Sequence, residues 1–149
     1  MTRVYMPQVL NQVAAARQFV DAWMQALGDR AAVMVEDKRL TQCAADHADY
    51  LANRPPELMQ QSMHIGKGGS TANERVRAAG YKLPEHWHGN HVESCACHHG
   101  SAGQAVAMLL DSPGHRAHML GEGGFVGHTA WGVGAVPPFY VFLAAPKEG

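Results

Sequence analysis

Apolar residues recur at helical spacing near the start of the chain. They fall four and three positions apart and predict one buried face of a helix that Gly28 ends. That predicted face consists of Val9, Val13, Ala16, Val20, Trp23 and Leu27.

A second helix is predicted from about Arg39 to Asn53, just before Pro55-Pro56. Cys43 lies beside its apolar face among alanines, so we expect a small buried thiol. We expect His47 in the same helix to hydrogen-bond a neighbouring element rather than a ligand. The inward positions are Leu40, Ala44, Ala48 and Leu51.

Three shorter helices are predicted further along. Thr71 and Glu74 have the spacing of a capping box, which opens a helix through Ala79. Helix formers return from Gln104 to Leu110. Ser112-Pro113 then predicts another helix start, with the serine oxygen accepting from free backbone N–H groups.

The chain closes with two strand-like runs, Thr129–Val136 and Phe139–Ala144, on either side of Pro137-Pro138. Their alternating side chains predict an antiparallel pair that helices can cover. The whole pattern, without repeats or a linker, predicts a single α+β layered domain over residues 1–149.

Composition narrows the function classes. The chain has 149 residues, 46% of them hydrophobic, and a formal net charge of −1. No electrostatic footprint for nucleic acid or an anionic membrane is visible, and no apolar run reaches the roughly 20 residues of a membrane span. Residues 1–7 lack the apolar centre of a signal peptide. Ten histidines are the outlier, and they suit metal binding or pH sensing as well as an ordinary histidine-rich surface.

Imidazole, carboxylate and thiol groups are concentrated between His91 and His99. In an extended strand, alternation would place four of them on one side as a metal clip. The spacing does not match a zinc finger, and a disulfide from this cysteine pair to Cys43 is a competing interpretation. The four clip residues are His91, Glu93, Cys95 and Cys97; His98 and His99 follow them.

His115 stands in the first turn of the helix predicted after Ser112. There the positive end of the helix dipole favours a neutral imidazole, the form that binds metal or accepts a proton. A plain capped helix whose histidine packs or faces water is the alternative.

Four parts of the chain together resemble the CAP superfamily of cysteine-rich secretory proteins, antigen 5 and pathogenesis-related 1 proteins, in its compact bacterial form. The resemblance covers nearly the whole chain and keeps the order of the family's segments. The matching parts are Ser112-Pro113-Gly114-His115-Arg116 with Met119-Leu120; Trp131-Gly132-Val133-Gly134-Ala135 with Phe139-Tyr140-Val141-Phe142; Met63-His64-Ile65-Gly66 with Arg75 and Ala78-Ala79-Gly80-Tyr81; and the first two helices.

The resemblance implies an α-β-α sandwich with a small central antiparallel sheet and a cleft for a divalent cation, often zinc. By position the ligands would be His64, His115 and Glu93. Glu93 stands in Val-Glu-Ser where the family has Gly-Glu-Asn, and no clear counterpart exists for a second acidic residue, although two acids lie nearby. The chain also departs from the family at two rim positions. The two acids are Asp111 and Glu122, and the two departures are Leu109 and His118.

By the same resemblance we expect a secreted or extracytoplasmic binding domain for a peptide, lipid or cell-envelope ligand. A zinc-dependent hydrolase with Glu93 as ligand or general base is the alternative, since two imidazoles and a carboxylate leave zinc an open position for water. A third hypothesis is an interaction subunit of a larger assembly, which fits the near-zero charge and unpaired thiols.

Overall fold

A four-stranded sheet forms the centre of the computed structural model, which describes residues 6–149, with side chains from residue 9 onward. The prediction that the start of the chain lacks the apolar centre of a signal peptide concerns mainly residues 1–5, which lie outside the described residues. Within that range the strand order is β1-β3-β4-β2. The strands are β1 (Val35–Glu36), β2 (Glu93–Cys97), β3 (His128–Val136) and β4 (Phe139–Pro146).

The β3–β4 pair is antiparallel, as the alternation predicted, and β2 pairs antiparallel with β4. β1 was not predicted, because two residues are too short for a periodic signal. It runs parallel to β3, so the sheet is mixed at that edge.

Five α-helices, counted over residues 6–149, cover the two faces of the sheet. None of these helices has the length and apolar content needed to cross a membrane. The helices are α1 (Met6–Leu27), α2 (Lys38–Ala52), α3 (Ala72–Ala78), α4 (Ala102–Leu110) and α5 (Pro113–Leu120).

One face of the sheet packs against α1, α4 and α5 through large aromatic side chains. Trp23 of α1 meets Phe142 of β4 edge to face, with ring centroids 4.8 Å apart. Its indole N–H donates to the carbonyl of Met119 at 2.7 Å, so the buried polar atom is satisfied. This contact fixes α5, which carries His115, against α1.

The predicted buried face of α1 is wrong at its N-terminal end. Val9 and Val13 are 38% and 51% exposed, whereas Phe19 is fully buried. Phe19 stacks on Tyr140, and this aromatic contact with the sheet turns the helix about one position away from the valine row. The observed buried row is Ala15, Phe19, Trp23 and Leu27.

The opposite face of the sheet carries α2 and α3 at short range. A Cβ on Gly132 would clash with the backbone of Leu40 and Thr41, and one on Gly134 with the backbone of Ala44 and Ala45. Glycine is therefore required for α2 to lie directly on β3. All four predicted inward residues of α2 are buried, and the two covered faces confirm an α-β-α sandwich.

Candidate functional site

Glu93 is the centre of the candidate site. It lies on β2 with a side chain only 1% exposed. Arg75 donates to both of its carboxylate oxygens, at 3.0 and 2.9 Å, and His64 Nδ1 lies 3.0 Å from Oε1. Burial alone would raise the pKa of Glu93, but the His64 hydrogen bond and the Arg75 charge outweigh it, and the pKa is lowered. Glu93 is therefore a paired, ionised carboxylate.

Arg75 holds this carboxylate together with the loop that carries His64, here called the histidine loop. It lies in α3, whose predicted capping box of Thr71 and Glu74 is present in full. Its guanidinium also donates to the carbonyl of His64 at 3.2 Å and to that of Ser70 at 2.8 Å. Loop position and carboxylate position thus depend on one side chain.

His64, Glu93 and His115 line one cavity of about 200 Å³ between β2, α5 and the histidine loop. The His64 side chain is 38% exposed and His115 is half-buried. Burial, followed by the nearby His64, lowers the pKa of His115. His115 is therefore a neutral imidazole near pH 7, in the form that a metal needs.

The start of α5 differs from the prediction in one respect. Ser112 is the extended residue before Pro113, as expected, but its side chain makes no capping hydrogen bond to any described residue. The proline at the first helical position has no N–H, so the helix start has one unpaired donor fewer. Gly114 and His115 follow directly and both line the cavity.

The cavity is also lined by His118, which the sequence placed only at the rim. His118 is buried and receives the Ser94 hydroxyl at Nδ1 (2.8 Å), while its Nε2 donates to the carbonyl of Ala144 (3.2 Å). Burial lowers its pKa to about 4. His128 donates to the same carbonyl at 3.0 Å. Both ring nitrogens of His118 are used, so its role is structural.

A second group of donor atoms lies on the inner side of Glu93. One ring nitrogen of His47, a Glu93 oxygen and Cys95 Sγ all lie within 4.8 Å of one another. Glu93 Oε1 already pairs with His64 and Arg75, however, and His47 Nε2 lies 2.6 Å from the carbonyl of Met63, as the predicted contact with a neighbouring element requires. An ion here would have to displace several of these bonds, so the group fits a metal poorly.

The metal clip considered for the run from His91 to Cys97 does not form. Glu93 and Cys95 do share a face of β2, but Cys97 is exposed. His91 instead pairs with Asn73 and stacks on Trp87 with ring centroids 4.5 Å apart. Across residues 6–149 all three cysteines are free, so the disulfide to Cys43 is also wrong in this structure.

The structure thus brings His64 into contact with Glu93 and places His115 in the same cavity. The two nearby acids do not join them: neither Asp111 nor Glu122 is among the lining residues that the structure describes, and Glu122 pairs with Arg116 at 3.4 Å. Sequence reasoning missed the ion pair of Arg75 with Glu93. No local sequence pattern around Arg75 indicates an ion-pair partner 18 residues away.

Comparison with known proteins supports the fold. Neither a protein-family model nor a curated protein sequence matches the chain significantly. A 1.5 Å crystal structure of an extracellular protein containing an SCP domain, from Bacillus anthracis str. Ames, is similar to it with a TM-score of 0.72 and 20% sequence identity. The match covers 98% of this chain and 45% of that one, so this chain has the SCP-domain fold and spans less than half of the other protein's length.

Proposed function

We propose that this chain, which has the SCP-domain fold, is a member of the CAP superfamily whose residues 1–149 form one domain, and that it binds a divalent cation through His64 and His115. Zinc is the first candidate, because imidazole nitrogens are among its preferred protein ligands. The fold likeness and the four matching sequence segments support the family assignment.

The observation that carries the proposal is the contact between His64 Nδ1 and Glu93. Metal-binding histidines commonly donate their other ring N–H to a carboxylate, which fixes the tautomer and the ring orientation. With Nδ1 at 3.0 Å from Oε1, the Nε2 atom of His64 is the nitrogen left for an ion. Arg75 occupies both oxygens of Glu93, which favours an orienting role for Glu93 over direct ligation.

Two imidazoles leave the remaining positions of a four-coordinate ion for outside ligands. We therefore propose a binding domain in which a carboxylate or similar oxygen group of a peptide, lipid or cell-envelope component completes the site. The extracellular nature of the similar SCP-domain protein supports an extracytoplasmic location. The hydrolase and the interaction subunit stay predictions, since no particular contact in the site favours either.

Metal analysis tests the proposal. Purified protein is dialysed against zinc, then against metal-free buffer, and its bound zinc is counted for the wild type, His64→Ala and His115→Ala. We expect about one zinc per chain in the wild type and at least tenfold weaker binding in each variant. Exposed His86→Ala is the matched control and keeps its zinc. Equal zinc content in all four proteins would contradict the proposal.

Cobalt substitution distinguishes a metal site at His64 and His115 from one at His47, Glu93 and Cys95. Cobalt bound to imidazoles alone gives visible bands without the near-ultraviolet charge transfer of a thiolate ligand. We expect no thiolate band, and the same spectrum for Cys95→Ser. A thiolate band that Cys95→Ser removes would place the ion on the inner side of Glu93 and overturn the assignment.

A further inference from the structure

A larger cavity lies on the other side of Glu93, between α2, α3 and the turn at residues 67–70. Its volume is about 660 Å³, a size usual for small-molecule sites. Judged over the described residues, it has no lining residue in common with the His64–His115 cavity. His47 and Arg75 line it. The other lining residues include Cys43, Tyr50 and Ala78 and the charged Asp46, Asp49 and Lys67.

His47, one of the lining residues, has a buried and unused acceptor. Its side chain is 1% exposed, and its Nε2 lies 2.6 Å from the carbonyl of Met63. A carbonyl can only accept, so the ring proton is on Nε2, and burial lowers the pKa of His47, which keeps the ring neutral. Nδ1 is then a bare acceptor, and it has no hydrogen-bond partner within residues 6–149.

Arg75 presents the complementary group. Its two terminal nitrogens donate to Glu93, His64 and Ser70. Its Nε–H is buried and finds no acceptor among the described residues. Buried polar atoms are nearly always paired, and leaving them unpaired is costly. One unpaired acceptor and one unpaired donor therefore belong to side chains that line the same cavity.

We propose that this cavity binds a small apolar molecule that carries a hydroxyl group. The hydroxyl hydrogen is donated to His47 Nδ1, and a ligand oxygen accepts from the Nε–H of Arg75. A hydroxyl is the simplest group with both capacities. Both of these protein atoms are buried, so a ligand reaches them only when a side chain shifts. Tyr50 lines the cavity, is half-buried and stacks on His47 with ring centroids 6.0 Å apart, and it is the side chain that we expect to move.

Phenol and toluene are the probes, because they share an apolar ring and differ in the hydroxyl group. Each is titrated into the metal-free full chain while the imidazole nitrogens are followed by NMR. We expect phenol to bind at least tenfold more tightly than toluene and to shift the His47 Nδ1 resonance upfield in a saturable way. Equal affinities, or a His47 Nδ1 resonance that phenol leaves unchanged, would overturn the proposal.

Variants locate the effect. His47→Phe should lower phenol affinity to that of toluene, while His86→Phe, at an exposed position, should leave both affinities unchanged. His64→Ala alters the other cavity and should also leave phenol binding intact, so the proposal can fail or hold independently of the metal site. Should His47→Phe not fold, the wild-type NMR titration still decides, because it needs no variant.

Discussion

Two histidines lie close to the same oxygen of Glu93 and have opposite environments. His64 Nδ1 is 3.0 Å from Oε1 with a side chain 38% exposed, whereas His47 Nε2 is 3.8 Å away with a side chain 1% exposed. Both are imidazoles beside a carboxylate, so residue type does not separate them. Surroundings do: His64 keeps Nε2 for the cavity that it shares with His115, whereas His47 donates Nε2–H to the carbonyl of Met63 and keeps only a buried Nδ1.

The difference arises from the elements that carry them. His47 projects from α2, which the glycines of β3 hold tightly on the sheet. His64 lies on a loop whose carbonyl Arg75 anchors at 3.2 Å. A buried helix suits a hydrogen-bonded core histidine, whereas an anchored exposed loop suits a metal-binding one.

Replacing Arg75, which holds both Glu93 and the loop of His64, should have the largest effect on the free energy of unfolding. Arg75→Met leaves the buried Glu93 carboxylate without its cation, and we expect a loss of about 3–5 kcal/mol in the free energy of unfolding. Urea denaturation measures it. Arg116→Met is the matched control, because the exposed Arg116–Glu122 pair should contribute at most about 1 kcal/mol. Equal losses in the two variants would show that Arg75 is not the anchor.

Acid should distinguish the buried histidines from the exposed ones. The unfolded chain takes up protons at histidine below about pH 6.5, whereas folded His118 has a pKa of about 4. The folded state binds fewer protons between these values, so its stability falls as the pH drops from about 6.5 to 4, by about 3 kcal/mol for His118. Above pH 6.5 this contribution is constant.

Unfolding free energies measured across that pH range check the prediction. His118→Asn, which does not titrate, should reduce the slope, and exposed His86→Asn should not. A wild-type stability that stays level from pH 6.5 to pH 4 would contradict the burial of a neutral His118.

Lifting α2 off the sheet should disturb His47 more than His64. A Cβ on Gly134 meets the backbone of Ala44 and Ala45, so we expect Gly134→Ala to cost about 1–3 kcal/mol. NMR should show larger shifts at His47 than at His64. Gly124→Ala is the control, because open space surrounds a Cβ there. Tolerance of alanine at both positions would refute the close contact of α2 with β3.

The smallest difference that we expect is in thiol reactivity, which reports whether the inner side of Glu93, where Cys95 lies, is accessible to a labelling reagent. Cys97 is exposed, whereas burial raises the pKa of Cys95 and that of Cys43, the latter to about 11. We expect one thiol to react in the native protein and three after denaturation. Cys97→Ser should remove the native reaction. Fast native labelling of Cys95 would show that the inner side is open.

The fold was largely predictable because its signals are local. The alternation of β3 and β4, the apolar face of α2 and the capping box of α3 each lie within a few residues. The buried face at the start of α1 was not predictable, because the rows that contain Val9 and Phe19 are both apolar. Packing against the sheet buries the row of Phe19. β1 has two residues and no period to detect.

The site was less predictable, because its contacts span long stretches of sequence. His64 and Glu93 meet across 29 positions, and only the family resemblance paired them. The Arg75–Glu93 pair and the Met63 carbonyl on His47 have no local pattern at all. His118 stands at a family position normally held by another residue, so the resemblance gave no role for it.

Anomalous diffraction at the zinc edge, from crystals grown with one equivalent of zinc, would locate the ion that we propose at His64 and His115. We expect a single strong peak about 2.0–2.1 Å from one imidazole nitrogen of His64 and one of His115, with Glu93 still paired to Arg75. A peak between His47 and Cys95, or none near His64 or His115, would contradict the proposal.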